Sequence, residues 1–159
     1  MTRVGVESDF RSAMRNVASA VSVVTTLVDG RPRGLTVSAF DSLSMSPPLM
    51  TVALQDTSSL LAGISVGLPL GVNVLRSDQE QIASRFAHHH EDRFAGIEWL
   101  LDHGAPRLLN VHAWFRLTVR ESLRVGDHVV LICDVHDALP GRGRPLTYHN
   151  GKFGSHWPH

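Results

Sequence analysis

Thr36, Ser38, Ala39, Ser42 and Ser44 fall in one stretch, Gly34 to Met50, that begins as a strand and fills with short side chains. A barrel strand ordinarily alternates bulky apolar and polar residues. Here the short side chains leave room for a flat ligand against the backbone. Its edge would meet N–H groups and hydroxyls from Thr36, Val37, Ser38, Ala39 and Phe40. Pro47 and Pro48 remove two backbone donors and impose an extended exit, so the stretch is not helical. A serine-rich edge strand with a proline-terminated loop also explains this composition, and Phe40 is equally a core residue.

Other chemistry-bearing residues are more dispersed. Ser58 and Ser59 open an expected short helix after Asp56, where hydroxyls and free N–H groups suit a phosphate, although an N-cap explains Ser58 as well. Arg85 is a candidate counter-charge; with Asp92 and Arg93 it also reads as a solvated ion-pair group. Asn73 interrupts an apolar strand, and its buried amide needs partners, either a ligand or a neighbouring strand. His128 follows the Gly126-Asp127 turn and projects from a strand end, toward a pocket or as turn decoration. His88-His89-His90 invites a metal reading, but adjacent side chains diverge and no second ligand motif accompanies them, so no metal is expected. Cys133 has nothing beside it in sequence to lower its pKa and reads as core. Gly141-Arg142-Gly143-Arg144 lacks the strand-to-helix setting of a dinucleotide fingerprint.

The elements that must position these groups are mostly strands. Ser8 as N-cap and Phe10, Ala13, Met14, Val17 and Ala18 at helical spacing predict a first helix ending near Ser19. Val21–Val28 reads as a strand closed by Asp29-Gly30. Apolar runs at Leu49–Leu54, Leu70–Leu75 and Val129–Val135 read as buried strands. Ala113–Arg120 alternates as a one-sided strand. Leu60, Leu61 and Ile64 share a face of the short helix after Ser58. Ser77 and Glu80 read as the capping box of a helix carrying Ile82, Ala83 and Phe86. Trp99–Leu109 reads as irregular, broken by Gly104 and Pro106, and Leu146–Phe153 as a last strand. Six or seven strands with three short peripheral helices predict a mainly β fold, a closed barrel.

Composition sets bounds. With 159 residues, 43% apolar and 19% charged, the chain suits one domain, 1–159, with a core that needs no staples. Zero formal net charge gives no electrostatic pointer to nucleic acid or a membrane surface. The opening Met1–Val6 lacks an apolar signal core, no run reaches membrane-spanning length, and one cysteine forms no internal disulfide. These features predict a cytoplasmic protein, and the near-zero charge favours self-association.

Gly34-x-Thr36-x-Ser38-Ala39-Phe40-x-Ser42-x-Ser44-x-x-Pro47-Pro48-Leu49 closely resembles the signature of the short-chain flavin reductases, the reductase components of two-component flavin-dependent monooxygenases. Matches to Val72-Asn73-Val74-Leu75, Gln79, Arg85-Phe86-Ala87, Asp92-Arg93-Phe94-Ala95-Gly96, Gly126-Asp127-His128 and Leu146-x-Tyr148-His149-x-Gly151-x-Phe153 follow in the family's order, from about Phe10 to about Phe153. The family's Ser-x-Thr is Ser58-Ser59-Leu60 here, and its glycine five positions after the histidine is Cys133.

The resemblance implies a flavin-binding split barrel, usually a homodimer with flavin near the interface. It implies an NAD(P)H:flavin oxidoreductase that binds FMN or FAD, takes hydride from NADH or NADPH, and supplies reduced flavin to a partner monooxygenase. Thr36, Val37, Ser38, Ala39, Phe40, Ser42, Ser58, Ser59, Asn73, Arg85 and Phe86 would hold flavin, and His128 would be the catalytic-site residue that helps place nicotinamide. Such hydride transfer needs two rings brought together more than a side-chain acid or base, consistent with the lack of a triad. Two other readings remain: a pyridoxamine-phosphate-type flavin oxidase, against which the Gly34–Pro48 signature argues, and a non-enzymatic flavin-binding module.

Overall fold

Val23 and Val24 are adjacent on one strand and both fully buried, so that strand is covered on both faces. A computed structural model, which describes residues 5–159, shows what covers them. In chain order the elements are α1 (Val6–Met14), β1 (Ser19–Ala20), β2 (Ser22–Val28), β3 (Arg31–Val37), β4 (Phe40–Met45), β5 (Pro48–Gln55), a single 3-10 turn (Leu61–Gly63), β6 (Pro69–Val74), α2 (Glu80–Ala87), β7 (Trp99–Asp102), β8 (Ala105–Leu108), β9 (Ala113–Val125), β10 (His128–Pro140), β11 (Leu146–His149) and β12 (Lys152–Ser155).

Seven strands form one antiparallel sheet in the order β3-β2-β6-β9-β10-β5-β4. Val24, Val37, Val52, Leu54, Val72, Leu117, Leu131 and Cys133, drawn from six of these strands, meet in one inner core, and Phe40 of β4 packs against it. The sheet therefore wraps around its own apolar face as a barrel. Its two edge strands, β3 and β4, are consecutive in the chain and joined only by Ser38-Ala39. A second core lies on the outer face. There Val23, Phe86, Phe94, Ala105, Leu108, Trp114 and Leu146 bury the inner side of α2 and the β7–β8 hairpin.

The mainly β reading holds, with more strands than expected. Trp99–Leu109 is the β7–β8 hairpin, whose turn places His103 and Gly104 at positive φ. Leu146–Phe153 is likewise a hairpin, folded at Asn150-Gly151 and completing a small sheet with β1. Both turns have the left-handed pair that tight hairpins need. In α1 the hydroxyl of Ser8 donates backward to the Gly5 carbonyl at 2.8 Å, so the helix starts at Val6 and ends at Met14. Ser77 and Glu80 form no capping box: Gln79 precedes α2 and accepts a bond from the Arg76 amide through Oε1. No helix among the described residues is long and apolar enough to cross a membrane.

Candidate functional site

The short link Ser38-Ala39 crosses from one barrel edge to the other, and a cleft opens beside it. Ala53 donates its amide to the Ala39 carbonyl at 2.8 Å, which pins the link to β5. The cleft, about 420 Å³, is lined by Thr36–Ala39, Ala53–Gln55, Thr57–Ser59, Ala87 and His128. That volume is within the range of small-molecule sites. Small side chains and hydroxyls alternate in its walls with Leu35, Val37, Leu54 and Gln55, a cradle suited to a flat ligand lying against backbone.

Opposite the link, the loop after β5 is tied to the β9–β10 turn. Asp56 donates its amide to the Asp127 carbonyl at 3.0 Å, and Arg124 reaches the Asp56 carboxylate at 2.6 Å. His128 opens β10 paired with Gln55. These contacts bring His128 to the same cleft as Ser58 although seventy positions separate them in sequence. The imidazole Nδ1 of His128 lies 2.7 Å from Asp127 Oδ1, and this bond holds the Asp127 carboxyl below the usual carboxylate range.

The structure sorts the expected site residues into three groups. Thr36, Val37, Ser38, Ala39, Ser58, Ser59 and His128 share the cleft. The Thr36 hydroxyl donates to the Ala83 carbonyl of α2 at 2.7 Å, so its proton is engaged and only an acceptor faces a ligand. Phe40 and Ser42 border neighbouring hollows that share Ser38 with the cleft, with Phe40 half-buried against the inner core.

Three of the expected residues do not line this cleft. Asn73 is fully buried, and its Nδ2 donates to the Val23 carbonyl at 3.0 Å and to Thr25 Oγ1 at 3.2 Å. Its Oδ1 accepts from the Leu108 amide at 2.7 Å. The amide thus binds the β7–β8 hairpin to the barrel, away from the cleft. Phe86 is also fully buried, edge-on to Phe94 with ring centroids 5.0 Å apart. It fills the space a Cβ on Gly34 would need, 2.8 Å away. Arg85 lines an open groove with Ser77, Asp78 and Glu80 and donates to the Asp92 carbonyl at 3.3 Å, outside the cleft.

The phosphate argument changes as well. The segment after Ser58 is one 3-10 turn, too short for a helix-end anion site, and the Ser58 hydroxyl accepts from the Leu60 amide at 3.3 Å. Hydroxyls remain as the polar wall. Leu60, where the family has a threonine, is buried in the inner core, but Thr57 brings a third hydroxyl to the cleft beside Ser58 and Ser59. The Thr57-Ser58-Ser59 run was the signal for it. Ala53, Gln55 and Ala87 had none, because only the fold brings them here.

The model of the flavin reductase like domain matches residues 14–156. The chain belongs to the flavin reductase family. Among curated relatives it is similar to the reductase component of a 4-nitrophenol 4-monooxygenase/4-nitrocatechol 2-monooxygenase from Rhodococcus opacus. They are 33% identical over 96% of this chain and 83% of the relative. An NADH:FMN oxidoreductase of Rhodococcus qingshengii is 34% identical over 91% of this chain and 79% of its own. Among solved structures, the NADH:FAD oxidoreductase SgcE6 of Streptomyces globisporus, in complex with NAD and FAD fragments, superposes with a TM-score of 0.89. It is 25% identical, covering 99% of this chain and 97% of that one.

The flavin reductase domain thus spans nearly all of this chain, and both barrel edges and the cleft between them fall inside the matched residues.

Proposed function

We propose that the chain is a NAD(P)H:flavin oxidoreductase that binds flavin in the Ser38-Ala39 cleft and passes reduced flavin to a separate monooxygenase, acting as one domain in the cytoplasm. The observation that carries this reading is the convergence of the Thr36–Ala39 backbone, the Thr57–Ser59 hydroxyls and His128 on one cleft. The relatives' names, which couple NADH to FMN or FAD and describe monooxygenase reductase components, support the same reaction.

Flavin bound here supplies the ring that accepts hydride from nicotinamide. The chain's own part is binding and orientation. Ser38 and Ala39 keep the floor low so that the ring meets backbone. Thr57, Ser58 and Ser59 would hold the flavin phosphate with their hydroxyls. Ala53 and Ala87 keep the remaining walls short. His128, with Nδ1 anchored on Asp127, lines the cleft and would help place the nicotinamide. No side chain is asked to move a proton during transfer.

A homodimer belongs to this reading. Leu43 and Met45 on edge strand β4 are exposed, as are Phe10, Met14 and Val17, and Val17 borders the same hollow as Ser42. Steady-state NADH oxidation with added flavin and no organic substrate tests the activity. Turnover with flavin alone is expected; a strict requirement for an amine or a phenol would overturn it in favour of an oxidase or an intact monooxygenase.

A further inference from the structure

Gln55 lies outside every motif that carries the family resemblance, yet it lines the cleft directly across from His128. The two residues are Cα partners in the antiparallel pairing of β5 with β10. The bond from the Asp56 amide to the Asp127 carbonyl, at 3.0 Å, flanks this pair. Gln55 and His128 are therefore a non-hydrogen-bonded pair, the kind whose side chains come closest on a shared face.

Their hydrogen-bonding capacities are complementary. The bond to His128 holds the Asp127 carboxyl below the usual carboxylate range, so at neutral pH it accepts and Nδ1 of His128 donates. In the neutral imidazole that leaves Nε2 as an acceptor. Gln55 is exposed, and its carbonyl accepts from the Ser58 amide at 2.9 Å. Around it, Asp56 is taken by Arg124 and His128 by Asp127, so the Gln55 side-chain amide keeps its N–H donors for a ligand. The pair thus sets a donor beside an acceptor. A primary carboxamide carries the matching carbonyl and N–H on one carbon, whereas a carboxylate would turn an acceptor toward Nε2.

Resting on the flavin reductase reading of the cleft, we infer that Gln55 is a specificity-determining residue for the nicotinamide substrate. Its side-chain N–H donates to the carboxamide carbonyl, while His128 Nε2 accepts from the carboxamide N–H. The flavin ring edge also sets N–H beside C=O, so the test separates the two rings.

Gln55→Met keeps the length of the side chain and removes its amide. Steady-state kinetics with NADH, and with the reduced 3-acetylpyridine analogue that replaces the carboxamide NH2 by methyl, read the two contacts separately. Gln55→Met is expected to lower kcat/KM about two- to tenfold with both dinucleotides, chiefly through KM, because both keep the carbonyl. His128→Ala is expected to lower it more for NADH than for the analogue. Flavin affinity of Gln55→Met, titrated by fluorescence quenching, is expected to match that of the natural protein. Unchanged kinetics in Gln55→Met, or a loss seen with NADH and absent with the analogue, would overturn the inference. Weakened flavin binding with normal NADH dependence would give Gln55 to the flavin edge and overturn it as well. Absence of NADH turnover in the natural protein would overturn the reading of the cleft on which the inference rests.

Discussion

Thr36 Oγ1 lies 2.7 Å from the Ala83 carbonyl oxygen, joining the floor of the cleft to α2 across 47 positions of sequence. A hydroxyl that reads as a ligand contact is thereby also a structural donor. Thr36→Val keeps the shape of the side chain and removes the bond. It should cost about 0.5–1.5 kcal/mol in urea unfolding, the usual net worth of one hydrogen bond. Flavin affinity should change by no more than a few-fold, and a total loss of binding would make the hydroxyl a principal flavin contact.

Asn73 should behave as a purely structural residue. Asn73→Leu strands the buried Leu108 amide and removes a second, side-chain donor from the Val23 carbonyl. Each buried polar group left without a partner costs about 1–3 kcal/mol. Chemical denaturation should show a loss of that order, with flavin affinity of the folded fraction retained. Normal stability with lost binding would return Asn73 to the flavin site.

Cys133 gives a pH dependence with a definite sign. It is fully buried in the barrel, and burial, with a smaller contribution from the Asp134 charge, pushes its thiol up to about 12. A raised folded-state pKa contributes stability that is fully present below the unfolded thiol's pKa of about 8.5. That contribution declines as pH climbs through the folded value. Stability measured from pH 8 to pH 11 should therefore fall more steeply for the natural protein than for Cys133→Ala. The folded protein at pH 8 should also resist alkylation by iodoacetamide. Rapid alkylation would show that the barrel opens there.

His128 is assigned to nicotinamide placement and not to flavin binding. His128→Ala should leave the flavin dissociation constant nearly intact and lower kcat/KM for NADH about two- to tenfold, the equivalent of one hydrogen bond to a neutral group. Stopped-flow hydride transfer and flavin titration check the two halves separately. Natural kinetics throughout would leave His128 as turn decoration; lost flavin binding with normal NADH dependence would move it into the flavin site.

The sequence made the cleft legible where function leaves a local pattern. Short side chains from Thr36 to Ser44, adjacent serines at 58 and 59, and a histidine after a tight turn are all visible without coordinates. Asn73 and Phe86 show that a residue in a motif can serve the fold that supports a site. Asn73 satisfies a hairpin amide, and Phe86 packs onto Gly34, which has no Cβ to block it. Arg85 is the counter-charge candidate in the sequence, whereas the fold turns Arg85 to the Asp92 carbonyl and Arg93 back onto β3, a difference that no local pattern carries. Trp99–Leu109 looked irregular because short hairpin strands carry little periodicity, while the left-handed pair at His103 and Gly104 makes the turn.

The central claim is that flavin lies against the Ser38-Ala39 link, and Ala39→Trp tests it most directly. Ala39 is exposed at the cleft, so an indole there fills the slot without entering either core. The variant should keep the circular dichroism spectrum and unfolding midpoint of the natural protein. Flavin titration should show binding abolished, with no quenching of flavin fluorescence. Quenching identical to that of the natural protein, in a variant shown to be folded, would place flavin elsewhere and contradict the account.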